Sequence, residues 1–200
     1  MSKEGVIKFQ NLHSQENAIN TSQITPLSQY RDKLKKLKLI GGGTKRYHGL
    51  GFGNVSRRTI GDQFIITGSQ TGALEKLAAK DYALVTKFSI GQNKLWSQGL
   101  TNASSESMTH AALYQISTKI KSVFHVHFPE LWEKKDELPI PQTPGNVAYG
   151  TPAMAKAIQK AYLKAGKPIK GVIIMGGHED GVIAFGPTPQ ETFQQLTKYL

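Results

Sequence analysis

The sequence predicts an α/β fold with a substantial sheet that is partly antiparallel. Strand-like runs are frequent and mostly close neighbours along the chain, which favours short links over long crossovers. Two of these runs meet at Gly61-Asp62, a hairpin signal. Helical patterns separate others, and three of them carry a Thr-Pro start, the mark of an N-cap followed by a first-turn proline.

Taken in order, residues 5–10 are expected to form an opening strand, and residues 11–25, rich in Asn, Gln and Ser, a loop. Thr25-Pro26 then starts the first helix and Gly41-Gly42-Gly43 ends it. Residues 52–60 and 63–67 are the two arms of the hairpin. Residues 73–80 read as one or two helical turns, 82–88 as a strand and 91–93 as a turn. The spacing of Met108, Ala111, Ala112 and Ile116 predicts a helix over 105–117. Residues 123–128 are strand-like until Pro129 stops them. Thr151-Pro152 opens a helix that runs to Gly166, residues 171–175 and 181–185 read as apolar strands, and Thr188-Pro189-Gln190-Glu191 is a capping box for a last helix.

A chain of 200 residues with 38% hydrophobic and 20% charged residues has the size and composition of one globular domain, residues 1–200. The absence of cysteine excludes a disulfide scaffold and a thiolate metal site. No apolar run reaches the roughly 18 residues of a membrane span, and the first residues lack the apolar core of a signal peptide. A cytoplasmic location without membrane association is therefore expected.

Net charge is +11, and the excess by successive fifties is +6, +3, −1 and +3. Much of the first excess lies in residues 31–38, where Leu34 and Leu37 share a helical face and Lys33, Lys35, Lys36 and Lys38 fan out around it. That pattern reads as a solvated face over a thin apolar stripe. No zinc-finger or RRM signature accompanies the charge, so an anionic small molecule is the expected partner rather than nucleic acid.

Chemistry concentrates in a few places. His125 and His127 stand two apart on a strand and so project from one face, where two neutral imidazoles can fill two positions around a divalent metal. His178 lies in a loop, Gly176-Gly177-His178-Glu179-Asp180-Gly181, between two apolar strands. As a third ligand it would complete a site with open positions, the catalytic rather than structural kind. Glu179 and Asp180 read as solvated turn residues, and His13, His48 and His110 as ordinary histidines, with His110 able to stand behind the ligands. Ser104-Ser105-Glu106 opens a helix, where N–H groups and hydroxyls can hold an anion. Two further Gly-bearing polar loops, 53–56 and 67–72, could cradle phosphate. The second lacks the lysine of a nucleotide P-loop. Arg57 and Arg58 could assist, although strand alternation turns only one of them inward.

In order and spacing, Gly53-Asn54-Val55-Ser56, the loop 66–72, Ser104-Ser105-Glu106, His125-Val126-His127, Tyr149-Gly150-Thr151 and His178 resemble the class II aldolase/adducin family over about residues 50–193. The resemblance implies a three-layer α/β/α domain on a mainly antiparallel sheet, commonly a tetramer with sites between subunits. It implies a divalent metal, usually zinc, on His125, His127 and His178. Glu106 would be the acid/base. Asn54, Thr71, Gly72, Ser104 and Ser105 would form the phosphate pocket, with Thr67-Gly68 as the alternative pair to Thr71-Gly72. The implied activity is cleavage or formation of a C–C bond in a small phosphorylated sugar. Epimerisation or dehydration of a sugar phosphate, and a non-catalytic adducin-like interaction module, are the alternatives. Three departures stand out. Only 21 residues separate His127 from Tyr149, the third histidine sits in Gly-His-Glu-Asp-Gly rather than Asn-His-Gly, and the last helix is followed closely by Leu200.

Overall fold

The computed structural model describes residues 5–42 and 47–200. Among these residues eight strands form one sheet: β1 (Gln10–Gln15), β2 (Asn54–Arg58), β3 (Phe64–Thr67), β4 (Tyr82–Ser89), β5 (Lys94–Gly99), β6 (Ser122–His127), β7 (Gly171–Ile174) and β8 (Gly181–Gly186). Their order across the sheet is β1-β5-β4-β3-β2-β6-β8-β7. Every pairing is antiparallel except the parallel edge pair β1–β5. The fold is thus α/β with a mainly antiparallel sheet, as expected.

Among the described residues five α-helices cover the two faces: α1 (Thr21–Lys36), α2 (Ser107–Ile116), α3 (Pro129–Glu133), α4 (Pro152–Lys164) and α5 (Pro189–Thr197). Strand alternation sorts the core into two halves. Val123, Ile173, Ile183 and Phe185 pack under α2 and α4 with Met108, Ala112, Met154 and Ile158. Their sequence neighbours Phe124, Val126, Val182 and Ala184 pack on the other face with Leu27 and Leu34 of α1 and Leu196 of α5. Helices lie on both sides of the sheet.

Four local expectations are corrected. Residues 5–10 are not the first strand; Phe9 is buried against the α2/α4 half of the core and Ile7 packs beside it, while the strand is the polar run Gln10–Gln15 on the sheet edge. The first helix starts at Asn20 rather than Thr25. Asn20 and Gln23 form a reciprocal capping box, and Pro26 lies inside the helix, forfeiting one bond near its exposed end. That helix also stops before the glycines. Lys38, at φ 60°, turns the chain, and Leu39 N–H returns to the Leu34 carbonyl at 3.0 Å, as in a Schellman-type end; Gly43 lies outside the described residues. Residues 73–80 form no helix beyond a single turn at Ala79–Asp81, because their carbonyls are taken. The Arg31 guanidinium donates to Leu74 O at 2.5 Å and Glu75 O at 2.9 Å, and Lys35 to Ala73 O at 2.9 Å. Strand β5 carried too little apolar signal to be expected at all.

The competing helix starts make separable predictions. Asn20→Ala should cost about 1 kcal/mol of unfolding free energy, and Thr25→Ala no more than about 0.5 kcal/mol, read from urea denaturation. Equal losses would return the cap to Thr25.

Candidate functional site

Strand β6 is the centre of the site. All six of its residues are buried, with β2 on one side and β8 on the other. Alternation sends His125 and His127 to the same face as Val123, toward α2 and α4. His178 reaches them from the β7–β8 loop. One ligand atom from each of the three imidazoles lies within 4.8 Å of the others, and all three residues are buried. Ring centroids are 4.9–5.1 Å apart.

Two glycines let the third histidine arrive. A Cβ on Gly176 would stand 2.3 Å from Thr143 O, and one on Gly177 2.0 Å from Val147 O, so the loop threads where no side chain fits. The short stretch between His127 and Tyr149 braces it. Trp132 Nε1 donates to Met175 O at 3.0 Å, and Gly176 N–H to Thr143 Oγ1 at 3.0 Å.

Aromatic rings wall the cluster. Tyr149 stacks on His178 at 4.4 Å, Tyr47 meets His127 edge-on at 4.5 Å, and Phe52 lies 5.2 Å from His127. The Tyr47 hydroxyl bonds the Asp180 carboxylate, so Asp180 is a structural partner of this wall. Glu179 is exposed, as expected of a turn residue. Tyr47 carried no signal in the sequence, since neither its spacing nor its neighbours mark it.

Glu106 is 1% exposed at the start of α2. Thr109 Oγ1 donates to its Oε2 at 2.6 Å, which fixes the carboxylate. The turn 149–151 passes over it, because a Cβ on Gly150 would lie 3.7 Å from Glu106 Oε1 and 3.4 Å from Ser105 O. The carboxylate and His178 therefore meet the same turn.

The expected anion-holding residues fall at the start of β2, where a loop was expected, and on two adjoining loops. Asn54 is buried directly across from His125, and its Oδ1 has no hydrogen-bond partner among the described residues. Gly68 bridges to Ala103, and Ser69 N–H donates to Asn102 O at 2.8 Å. That pairing joins the loop of Thr71 and Gly72 to the loop of Ser104 and Ser105, both buried. Thr71 Oγ1 donates to Gly68 O at 2.8 Å, closing the turn. Thr67 Oγ1 instead accepts from Val55 N–H at 3.2 Å, a tie between strands. Arg58 is absorbed by structure: it donates to the carbonyls of Ile120 at 3.0 Å and Ser117 at 2.9 Å and pairs with Asp62 at 2.7 Å. Its assistance to phosphate is thereby corrected.

Residues 43–199 match the family model for the class II aldolase and adducin N-terminal domain. The chain belongs to the class II aldolase/adducin family. Among curated proteins none matches it significantly by sequence. An L-fuculose 1-phosphate aldolase superposes with a TM-score of 0.69 at 20% identity, covering 92% of this chain and 84% of that one. The L-fuculose-1-phosphate aldolase of Thermus thermophilus gives 0.61 at 19% identity, over 88% and 87%. The sugar-phosphate aldolase of Thermotoga maritima gives 0.65 at 14% identity, over 88% and 90%. At these identities the likeness is one of fold.

The donor set suits the divalent metal of class II aldolases. Burial, with repulsion that a second proton on the neighbouring imidazoles would add, holds the His125 imidazole well below its ordinary value, so it is neutral and able to ligate. Its Nδ1 faces Val182 O at 3.3 Å, while Nε2 has no hydrogen-bond partner among the described residues, the pattern of a ligand oriented by a carbonyl behind it.

His110 supplies a pH prediction. It is fully buried, its Nδ1 is 2.7 Å from Ser56 Oγ, and burial lowers its pKa from 6.5 to about 3. A depressed folded value leaves the unfolded chain binding more protons between those two values. Stability is therefore full above about pH 6.5 and is lost as pH falls toward 3. His110 alone should cost the metal-free protein about 2 kcal/mol between pH 7 and pH 5, with His125 adding to it. Urea denaturation at the two pH values measures this; unchanged stability would show that these imidazoles protonate within the fold.

Proposed function

We propose that this chain is a metal-dependent aldolase, an aldehyde-lyase that cleaves or forms a C–C bond in a small phosphorylated sugar. The observation that carries the reading is the convergence of three buried imidazoles beside a buried, oriented carboxylate. The proposal treats residues 1–200 as one domain acting in the cytoplasm as a homo-oligomer, a tetramer by family likeness. No helix among the described residues is long and apolar enough to cross a membrane.

His125, His127 and His178 would hold the ion, with zinc as the proposed metal. When bound, a divalent ion supplies Lewis-acid polarisation of carbonyl and hydroxyl oxygens. Asn54, Thr71, Gly72, Ser104 and Ser105 bind the phosphate through neutral donors, the amide, hydroxyls and backbone N–H groups. That grip places the reacting carbons toward Glu106. The carboxylate, steadied by Thr109, takes a proton from the substrate in one direction and returns it in the other. Burial under the turn 149–151 keeps water from competing for that proton.

Elemental analysis of untagged protein should give close to one zinc, manganese or cobalt per chain, and His125→Ala with His127→Ala should remove it. Glu106→Gln should keep the metal and lose at least about a hundredfold in turnover of the sugar phosphate cleaved. A full metal complement in the double variant would overturn the ligand set. Turnover near wild type in Glu106→Gln would remove that residue from the mechanism. Epimerisation without cleavage would change the reaction but not the site.

A further inference from the structure

The family match begins at residue 43, yet part of the metal cluster's wall is reached from residues 5–9. These residues cross the α2/α4 side of the sheet. Phe9 is 6% exposed and Ile7 packs beside it in the same core cluster. Asn93 Nδ2 donates to Lys8 O at 2.8 Å, and Gln10 N–H to Asn93 O at 2.9 Å, so the β4–β5 turn grips the backbone on the outer side. The segment is a fastened strap.

Lys8 is its inward contact. Its Nζ donates to Tyr149 O at 2.9 Å and stands 3.5 Å from the centroid of the Tyr149 ring. His178 stacks on that same ring with centroids 4.4 Å apart and planes 23° from parallel. An ammonium 3.5 Å above a ring centre occupies one face, and an imidazole stacked this closely needs the other. The order is thus ammonium, phenol ring, imidazole. The attraction between the cation and the ring's negative face adds to the packing. The Lys8 stem also runs under the turn that covers Glu106, with its Cδ 3.7 Å from where a Gly150 Cβ would be.

We infer that Lys8 is a positioning residue for His178: from outside the residues that the family model matches, it clamps the Tyr149 ring and thereby fixes the orientation of the third imidazole of the histidine cluster. The metal part of this inference rests on the reading proposed above; the ring orientation does not. A histidine free to rotate presents its nitrogen to the ion only part of the time, and restraints behind a ligand are worth measurable affinity. The clamp also explains how a glycine-rich loop can hold a ligand steadily, since Gly176 and Gly177 give the backbone no side-chain anchors of its own.

The test compares Lys8→Met, which keeps the stem and removes the charge, with Lys8→Arg, which keeps the charge. Histidine ring 15N–1H correlations of the metal-free protein report orientation, with His13 as the internal reference. Zinc affinity, measured by competition with a chelating dye, reports the consequence. Lys8→Met should shift the His178 ring signals, leave those of His13 in place and weaken zinc binding about three- to tenfold, with Lys8→Arg recovering most of both. Unmoved His178 signals and unchanged zinc affinity in Lys8→Met would overturn the inference, and so would equal shifts at His13, which would mean general loosening. If wild-type protein takes up neither zinc, manganese nor cobalt but Lys8→Met still moves His178 alone, the aldolase reading fails and the clamp stands.

Discussion

The site depends on one strand being buried on both faces. β6 lies between β2 and β8 with no residue exposed, and its period of two divides it between two layers. Phe124 and Val126 satisfy the layer under α1 and α5 in the ordinary way, with apolar surface. The opposite layer receives His125 and His127, which an apolar interior tolerates only if their polar atoms are occupied. A buried nitrogen left without a partner costs about 1–3 kcal/mol. His125 Nε2 is such an atom among the described residues. That cost falls on a strand interior to the sheet, where the nitrogen is placed to take up a ligand.

Around that strand, cations do the work that regular secondary structure does not. Arg31, 1% exposed, gathers the carbonyls of Thr71, Gly72, Leu74 and Glu75, and so shapes the loop that carries Thr71 and Gly72. Arg58 does the same for the far end of α2, taking the carbonyls of Tyr114 and Ser117, while the near end of that helix presents Glu106. Part of the chain's +11 charge is thus used inside, on backbone oxygens.

The stretch between His127 and Tyr149 is short and braces the third histidine. Its 21 residues hold the loop of His178 through Trp132 and Thr143, and the β-bridge of Gln142 to Ile174 extends the support. The aromatic wall over the cluster is drawn instead from distant places, with Tyr47 before the hairpin and Tyr149 before α4.

The sequence by itself determined the fold class, the hairpin, the helices opened by Thr151 and Thr188, and the convergence of the three histidines. These are legible because they rest on local rules: alternation in a strand, a hydroxyl ahead of a first-turn proline, and residue types whose chemistry is narrow. Thr25-Pro26 shows where such rules mislead, since Asn20 and Gln23 offered a better reciprocal cap five residues earlier. Tertiary structure alone decided that Ile7 and Phe9 belong to a strap and not a strand, that residues 73–80 stay unwound, and that Tyr47 and Tyr149 wall the imidazoles with Lys8 behind Tyr149. Each of those outcomes is set by a partner tens of residues away: the core beneath Phe9, the guanidinium of Arg31, the ring of His178. No local pattern records such a partner, because the contact exists only after the sheet has brought both ends together.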